Sequence, residues 1–149
     1  MLDLAMSEDL ETRYMIVLAN DDEDGIYRLL HEDQMLLGLS DAGAHVSQLC
    51  DAVLPTDLLG NWVREREAIS LEEAVRKLTG EPATVFGYRN RGVLAPGKAA
   101  DVTVFDLSAV GTGPMRRVRD FPADGERLVA DEPQGIRHVV VNGTPIKVD

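Results

Sequence analysis

Residues 14–18, Tyr-Met-Ile-Val-Leu, form an unbroken apolar run that gives way to Asn20-Asp21-Asp22-Glu23-Asp24. Such a run predicts a strand buried on both faces that stops at an exposed loop. Residues 35–39, Met-Leu-Leu-Gly-Leu, predict a second strand of the same kind, ending in Ser40-Asp41-Ala42-Gly43-Ala44-His45. A helix is expected after each. Over residues 25–32, Ile26, Leu29 and Leu30 fall at i, i+3 and i+4, and the acidic cluster before them suits the positive end of a helix. Over residues 57–69, Leu58, Leu59, Trp62 and Val63 form an apolar stripe that reads as helix core. Residues 70–78 carry the clearest helical pattern. Ser70 and Glu73 form a capping box, Leu71, Ala74, Val75 and Leu78 line one face, and Gly80 and Pro82 supply the stop. Residues 4–10 form a weaker helical pattern, with Leu4, Met6 and Leu10 only loosely aligned.

Strand, helix, strand, helix, each strand buried and followed by a polar loop, is the pattern of a parallel sheet. Two parallel strands cannot cover their own edges, so this half is expected to belong to a larger sheet or barrel. Near residue 90 the pattern changes to short alternating runs rich in Val, Gly and Pro. Strands are predicted over 102–105 and 137–142, and Asn142-Gly143 signals a hairpin into 146–148. Residues 108–134, punctuated by Gly111, Gly113, Pro114, Pro122, Gly125 and Pro133, are expected to be loops around one short strand at 127–129.

Charge marks the same boundary. Residues 1–90 hold 18 acidic and 7 basic side chains, and residues 91–149 hold 8 of each, so the whole net charge of −11 lies in the first part. The expected organisation is therefore two units, 1–90 and 91–149. With 149 residues, 44% of them hydrophobic, the chain can bury a core, and its apolar runs are far too short to span a membrane. The acidity disfavours a sequence-independent grip on nucleic acid, which needs Lys and Arg to neutralise phosphates. Cys50 is the single cysteine, so an internal disulfide and a cysteine-based zinc cluster are both excluded. With no visible export signal, a cytoplasmic protein is expected.

Several short motifs now take on a shared meaning. Pro82-Ala83, Phe86-Gly87, Arg91-Gly92-Val93-Leu94, Pro96-Gly97, Ala100-Asp101-Val102, Val104-Phe105-Asp106 and the closing Val139-Val140-Val141-Asn142-Gly143 resemble the C-terminal signature of the metal-dependent amidohydrolases. The stretch from Gly38 to His45 resembles the end of that family's final barrel strand, whose Asp sits in the active site. Residues 24–106 are most similar to the N-acyl-D-amino-acid deacylases, or D-aminoacylases. The resemblance implies an α/β fold: the last βα units of an incomplete (β/α)8 barrel over 1–90, and a small, composite β-domain over 91–149. It also implies a zinc-dependent hydrolase of non-peptide C–N amide bonds whose substrate is an N-acyl-D-amino acid.

On that resemblance Asp41 is the candidate catalytic residue and a candidate metal ligand. In such barrels the C-terminal ends of the strands point at the active site. A carboxylate there can take a proton from the attacking water and pass it to the departing amine. The alternative is that Asp41 caps the turn after its strand, with Ser40 and Gly43 as suitable neighbours. His45, four residues on, would share a face with Asp41 on a helical turn and is the candidate substrate-binding residue; a structural histidine is the competing reading.

A catalytic zinc needs about three protein ligands. The family's His-x-His pair is missing here, where the histidines are His31, His45 and His138. The chain therefore corresponds to the C-terminal third of such an enzyme, with zinc in the complete enzyme and none expected in this chain alone, and it is predicted to be inactive by itself. Asn20, Asp22, Asp24 and Gly25 match the first half of an EF-hand loop, but its twelfth position is His31 rather than Glu, and a helix terminus is the preferred reading. Arg116, Arg117 and Arg119 form the one basic cluster; a solvated loop is expected, and pairing with an acidic surface or binding a carboxylate substrate are the alternatives. Cys50 is expected to be a small buried filler. A second hypothesis stands beside the hydrolase: a non-catalytic assembly or interaction module derived from an amidohydrolase. Neither reading calls for nucleic acid or membrane, and both admit homo-oligomers through unpaired strand edges.

Overall fold

A computed structural model describes residues 1–14, 16–17, 19–38, 41–48 and 52–148. Contacts divide the chain into two compact units, Met1–Glu32 and Asp33–Asp149. No helix among the described residues is long and apolar enough to cross a membrane.

The first unit contains two helices, α1 (Leu2–Ser7) and α2 (Glu23–Leu30). Helix α2 starts after Asp22 and carries Glu23 and Asp24 in its first turn, where acidic side chains meet the positive end of the helix. Leu30 is buried, Ile26 is half-buried and Leu29 is half exposed, so the predicted stripe is only partly covered. The strand expected over 14–18 does not form at its described residues. Tyr14, Ile16 and Val17 are irregular, and Ile16 and Val17 are 71% and 65% exposed. Met15 and Leu18 lie outside the described residues. The physical reason is direct: a strand with two apolar faces needs hydrogen-bonding neighbours and a cover, and none of the strand pairs among the described residues includes this segment.

In the second unit the other expected strand is likewise absent over residues 35–38, while Leu39 and Ser40 lie outside the described residues. The helices come next. Helix α3 (Leu54–Asp57) runs directly into a π-helical segment, Leu58–Glu65, in place of the uniform helix expected over 57–69. The wider turn suits the stripe, because Leu58 and Val63, five residues apart, are both buried. Trp62 lies under the Arg66 guanidinium, 4.9 Å from the ring centroid. Helix α4 (Leu71–Leu78) begins as its capping box predicts, with the Glu73 N–H donating to Ser70 Oγ at 3.2 Å. It stops on cue, but Gly80 and Pro82 open a further helix, α5 (Gly80–Val85). Pro82 is tolerated there because a first-turn N–H has no intrahelical acceptor in any case.

The C-terminal half is built from antiparallel strands. β1 (Val102–Phe105), β4 (Ile136–Val141) and β5 (Thr144–Val148) form one sheet in the order β1-β4-β5. β4 and β5 join at Asn142-Gly143, both with positive φ (50° and 78°), as a tight hairpin of this composition requires. Between β1 and β4 the chain makes an excursion that includes a second sheet, β2 (Met115–Phe121) paired with β3 (Gly125–Ala130). A bridge between Gly111 and Gln134 and the Asp131 N–H bond to Pro114 O, 3.0 Å, close the neck of this excursion. Here the sequence reading needs correction. Arg116, Arg117 and Arg119 are on strand β2 rather than a solvated loop, and each is paired with an acid.

The buried apolar side chains include Leu58, Leu59, Val63, Ile69, Ala74, Ala83 and Val110. Val110 is completely buried because Gly60 lets the helical backbone approach it: a Cβ at residue 60 would lie 2.6 Å from Val110 O.

Candidate functional site

Asp41 and His45 belong to one turn, residues 41–48, in the second unit. Ala44 N–H donates to Asp41 O at 2.9 Å, and Gln48 N–H donates to His45 O at 2.7 Å. Two consecutive tight turns result, rather than the helical turn on which the two side chains were expected to share a face. Both residues sit in the left-handed region, with φ of 50° and 49°. Asp and His adopt that conformation more readily than most residues, yet it still disfavours an L side chain. Both side chains are exposed.

Among the described residues, two hydrogen bonds hold the far end of this turn, and both come from the β2–β3 hairpin. Leu128 N–H donates to Val46 O at 2.8 Å, and Arg117 Nη1 donates to Ser47 O at 2.6 Å. Arg117 and Leu128 are directly opposite one another in the β2–β3 register. Arg117 Nη1 also donates to Glu126 Oε1 at 2.8 Å, so the guanidinium is fixed by a largely buried carboxylate. Upstream, the buried Lys77 of α4 donates to Met35 O at 3.2 Å and lies 3.7 Å from Glu81, one helical turn further along. Sequence reasoning missed Lys77, and it singled out Arg117 without placing it at this turn. Lys77 had a signal available, since it shares the buried face of α4 with Ala74, three residues earlier, and a lysine there requires a buried acceptor. Arg117 had no such signal without strand β2.

The remaining histidines are elsewhere. His31 is the residue after α2; its Nδ1 lies 2.9 Å from Tyr27 O and its ring 4.3 Å from the Tyr27 ring. His138 is half-buried on β4 between Val104 and Val148. Among the described residues, no three His, Cys, Asp or Glu side chains come together to hold a metal ion. The described donor set therefore does not fit a zinc ion by itself. Cys50, expected as a buried filler, lies outside the described residues.

An apolar cleft of about 1080 Å³ separates the helices from the β1-β4-β5 sheet, lined by Leu59, Val75, Pro82, Val93, Phe105 and Val139 among others. Asp41 and His45 do not line it, and the Arg91 and Asp101 at its rim neutralise one another at 2.6 Å. It is chemically a packing surface rather than a reaction centre.

Comparison with known proteins identifies the class. A family model described as the amidohydrolase family matches residues 24–146, and the chain belongs to that family. Within it, the chain is similar to deacylases of N-acyl-D-amino acids and, over 50 residues, to dihydroorotases, one of them from Lactobacillus gasseri at 48% identity, covering 34% of this chain and 12% of that protein. An N-acyl-D-glutamate deacylase of Alcaligenes xylosoxydans xylosoxydans is 44% identical over 91 residues, covering 61% of this chain and 17% of that protein. The crystal structure of an N-acyl-D-glutamate deacylase from Bordetella bronchiseptica, complexed with zinc and a phosphonate inhibitor, aligns with a TM-score of 0.56 at 37% identity. That alignment covers 84% of this chain and 24% of the other. A D-aminoacylase crystal structure aligns with a TM-score of 0.58 at 32% identity, covering 86% of this chain and 25% of the other. The chain thus spans a quarter or less of the length of these relatives.

Proposed function

We propose that this chain is the C-terminal part of a zinc-dependent hydrolase that cleaves the non-peptide amide bond of N-acyl-D-amino acids in the cytoplasm, and that it is inactive alone. Residues 1–90 would be the closing segment of the barrel and residues 91–149 its small β-domain. The observation that carries the reading is the position of Asp41: an exposed carboxylate, inside the family match, on a turn whose main chain is held at residues 46 and 47.

In this reading the Asp41 carboxylate accepts the proton of the attacking water and returns it to the departing amine. The same carboxylate would be a metal ligand, and because no further donors gather with it among the described residues, the remaining ligands would come from elsewhere. His45, four residues along the same turn, would meet the substrate.

The test is a chimera in which residues 24–146 replace the matching segment of the Alcaligenes enzyme. Deacylation of N-acyl-D-glutamate by the chimera, abolished by Asp41→Asn with zinc content unchanged or reduced, supports the reading. Full activity of the Asp41→Asn chimera overturns it. A second reading, a non-catalytic assembly module, draws on the uncovered apolar cleft. A purified chain that self-associates in light scattering, paired with a chimera that folds but hydrolyses nothing, would favour that alternative.

A further inference from the structure

We propose that Arg117 is a positioning residue: through the main chain of residue 47 it sets the turn that presents Asp41 and His45. The inference rests on the catalytic reading of Asp41 for its meaning, and on the hairpin geometry for its substance.

The turn cannot be expected to hold its shape unaided. Asp41 and His45 both occupy the left-handed region, and such residues persist only where the surroundings over-determine them. Its own hydrogen bonds, from Ala44 to residue 41 and from Gln48 to residue 45, close two small loops but do not attach them to the rest of the protein. Among the described residues, attachment comes from one cross-strand pair. Leu128 N–H reaches Val46 O, and its partner across the hairpin, Arg117, reaches Ser47 O. Consecutive carbonyls are therefore gripped by facing residues of two strands.

An arginine is well suited to this position. Nη1 carries two hydrogens, one directed to Ser47 O and the other to Glu126 Oε1. Glu126 is 15% exposed and lies across the hairpin, so the carboxylate fixes the guanidinium while the carbonyl is held. Arg116 pairs with Asp131, and Arg119 pairs with Asp124 and lies 3.7 Å from the second oxygen of Glu126; neither donates to the turn in any described contact. The excursion between β1 and β4 thus acquires a purpose: it returns the chain to the turn it must support.

The test has two readouts. In the purified chain, Arg117→Ala is expected to speed amide exchange at Ala44, Gln48 and Leu128 by about tenfold, the worth of one charge-assisted hydrogen bond. The β4 amides, from Ile136 to Val141, should be unaffected. Arg117→Lys, which can still donate to Ser47 O, should return exchange to within about threefold of the parent, and Arg116→Ala should change nothing at the turn. Unchanged exchange at Ala44 and Gln48 in Arg117→Ala overturns the proposal, as does an equal acceleration by Arg116→Ala. In the chimera, Arg117→Ala should lower kcat by about tenfold to a hundredfold with KM little changed, and Arg117→Lys should restore most of it. Faster exchange at the turn with an unaltered kcat overturns the positioning role. An Asp41→Asn chimera that retains activity would instead sink the catalytic reading, while the exchange data still report on the grip of Arg117.

Discussion

Asp101 holds Asn142 by its backbone: one carboxylate oxygen accepts the Asn142 N–H at 2.8 Å, and the other accepts from Arg91 Nη1 at 2.6 Å. Arg91 in turn donates through Nη2 to the Asn142 side-chain oxygen at 3.1 Å, so three residues close a ring around the β4–β5 turn. Gly143 N–H completes the grip by donating to Ala100 O at 2.9 Å. The residue before β1 thereby fixes the turn after β4, and strands 34 residues apart in sequence are brought into register.

That ring predicts unequal costs for two substitutions. Asp101→Ala removes both acceptors and should destabilise the chain by about 2 kcal/mol, lowering Tm by about 4–8 °C. Asp101→Asn keeps an acceptor for the Asn142 N–H and loses chiefly the ion pair, a partly exposed one, so it should cost about 1 kcal/mol or less. Equal losses in thermal melts of the two variants would refute this division of labour.

Gly60→Ala should destabilise, against the general rule that alanine improves a helix interior by about 1 kcal/mol. The added methyl would lie 2.6 Å from Val110 O and 3.1 Å from Gly111 Cα, and both are backbone atoms that a side-chain rotation cannot move away. A loss of about 1–3 kcal/mol is expected, seen as a lower urea midpoint at unchanged m-value. A midpoint at or above the parent's would show that the close approach is not a constraint.

Ser70→Ala should cost about 1 kcal/mol, because Ser70 Oγ accepts the Glu73 N–H that opens α4. The loss belongs to the helix end, so urea denaturation should show it, whereas Ser70→Asn or Ser70→Asp should be close to neutral.

How far the sequence disclosed this molecule depends on whether an element's evidence is local. Helix α4 was legible because a capping box and an amphipathic stripe lie within nine residues, and β1, β4 and the Asn142-Gly143 hairpin because alternation and turn chemistry are equally local. Apolar content misled over residues 14–18 and 35–39. A double-faced apolar run states what a strand would need around it, not that the cover is present, and Ile16 and Val17 are largely exposed. Strand β2 was hidden for the opposite reason. Met-Arg-Arg-Val-Arg-Asp-Phe has one half-buried side chain, Val118, and owes its extended form to pairing with β3 and to acids supplied from elsewhere in the chain. Of the candidate site, the residue types were readable and the left-handed turn was not, since nothing local to residues 41–45 announces φ above zero at Asp41 and His45.

Acid should loosen the hairpin and the excursion's neck together. Arg127 binds Asp120 through both nitrogens at 2.7 Å and holds its carboxyl below the ordinary value of 3.8. The hydroxyl and N–H of Ser108 do the same for Asp106, helped by Arg137. A depressed carboxylate pKa contributes stability that is fully present above the unfolded value and is lost as pH falls through the folded one. Stability should therefore be flat in these two terms above about pH 5 and should decline below the ordinary value of 3.8. Asp106→Asn and Asp120→Asn should each make the curve shallower on the acid side. A variant whose acid limb superimposes on the parent's would exclude that carboxylate as a contributor.

Zinc should leave the isolated chain's stability unchanged. His31 is engaged with Tyr27, His138 is set in the β1-β4-β5 sheet, and His45 is in the exposed turn. None of them joins two further metal-donor side chains among the described residues. A three-ligand site with micromolar affinity would add about 2.7 kcal/mol of stability at a hundredfold excess of zinc over its Kd. For a chain of this length that corresponds to a rise in Tm of several degrees. The expected outcome is no rise, together with no hydrolysis of N-acyl-D-glutamate by the chain in the presence of zinc. A zinc-dependent increase in Tm that His45→Ala removes would mean that the turn carrying Asp41 assembles a metal site from this chain's own residues, and the proposal that the ligands are supplied from outside it would fall.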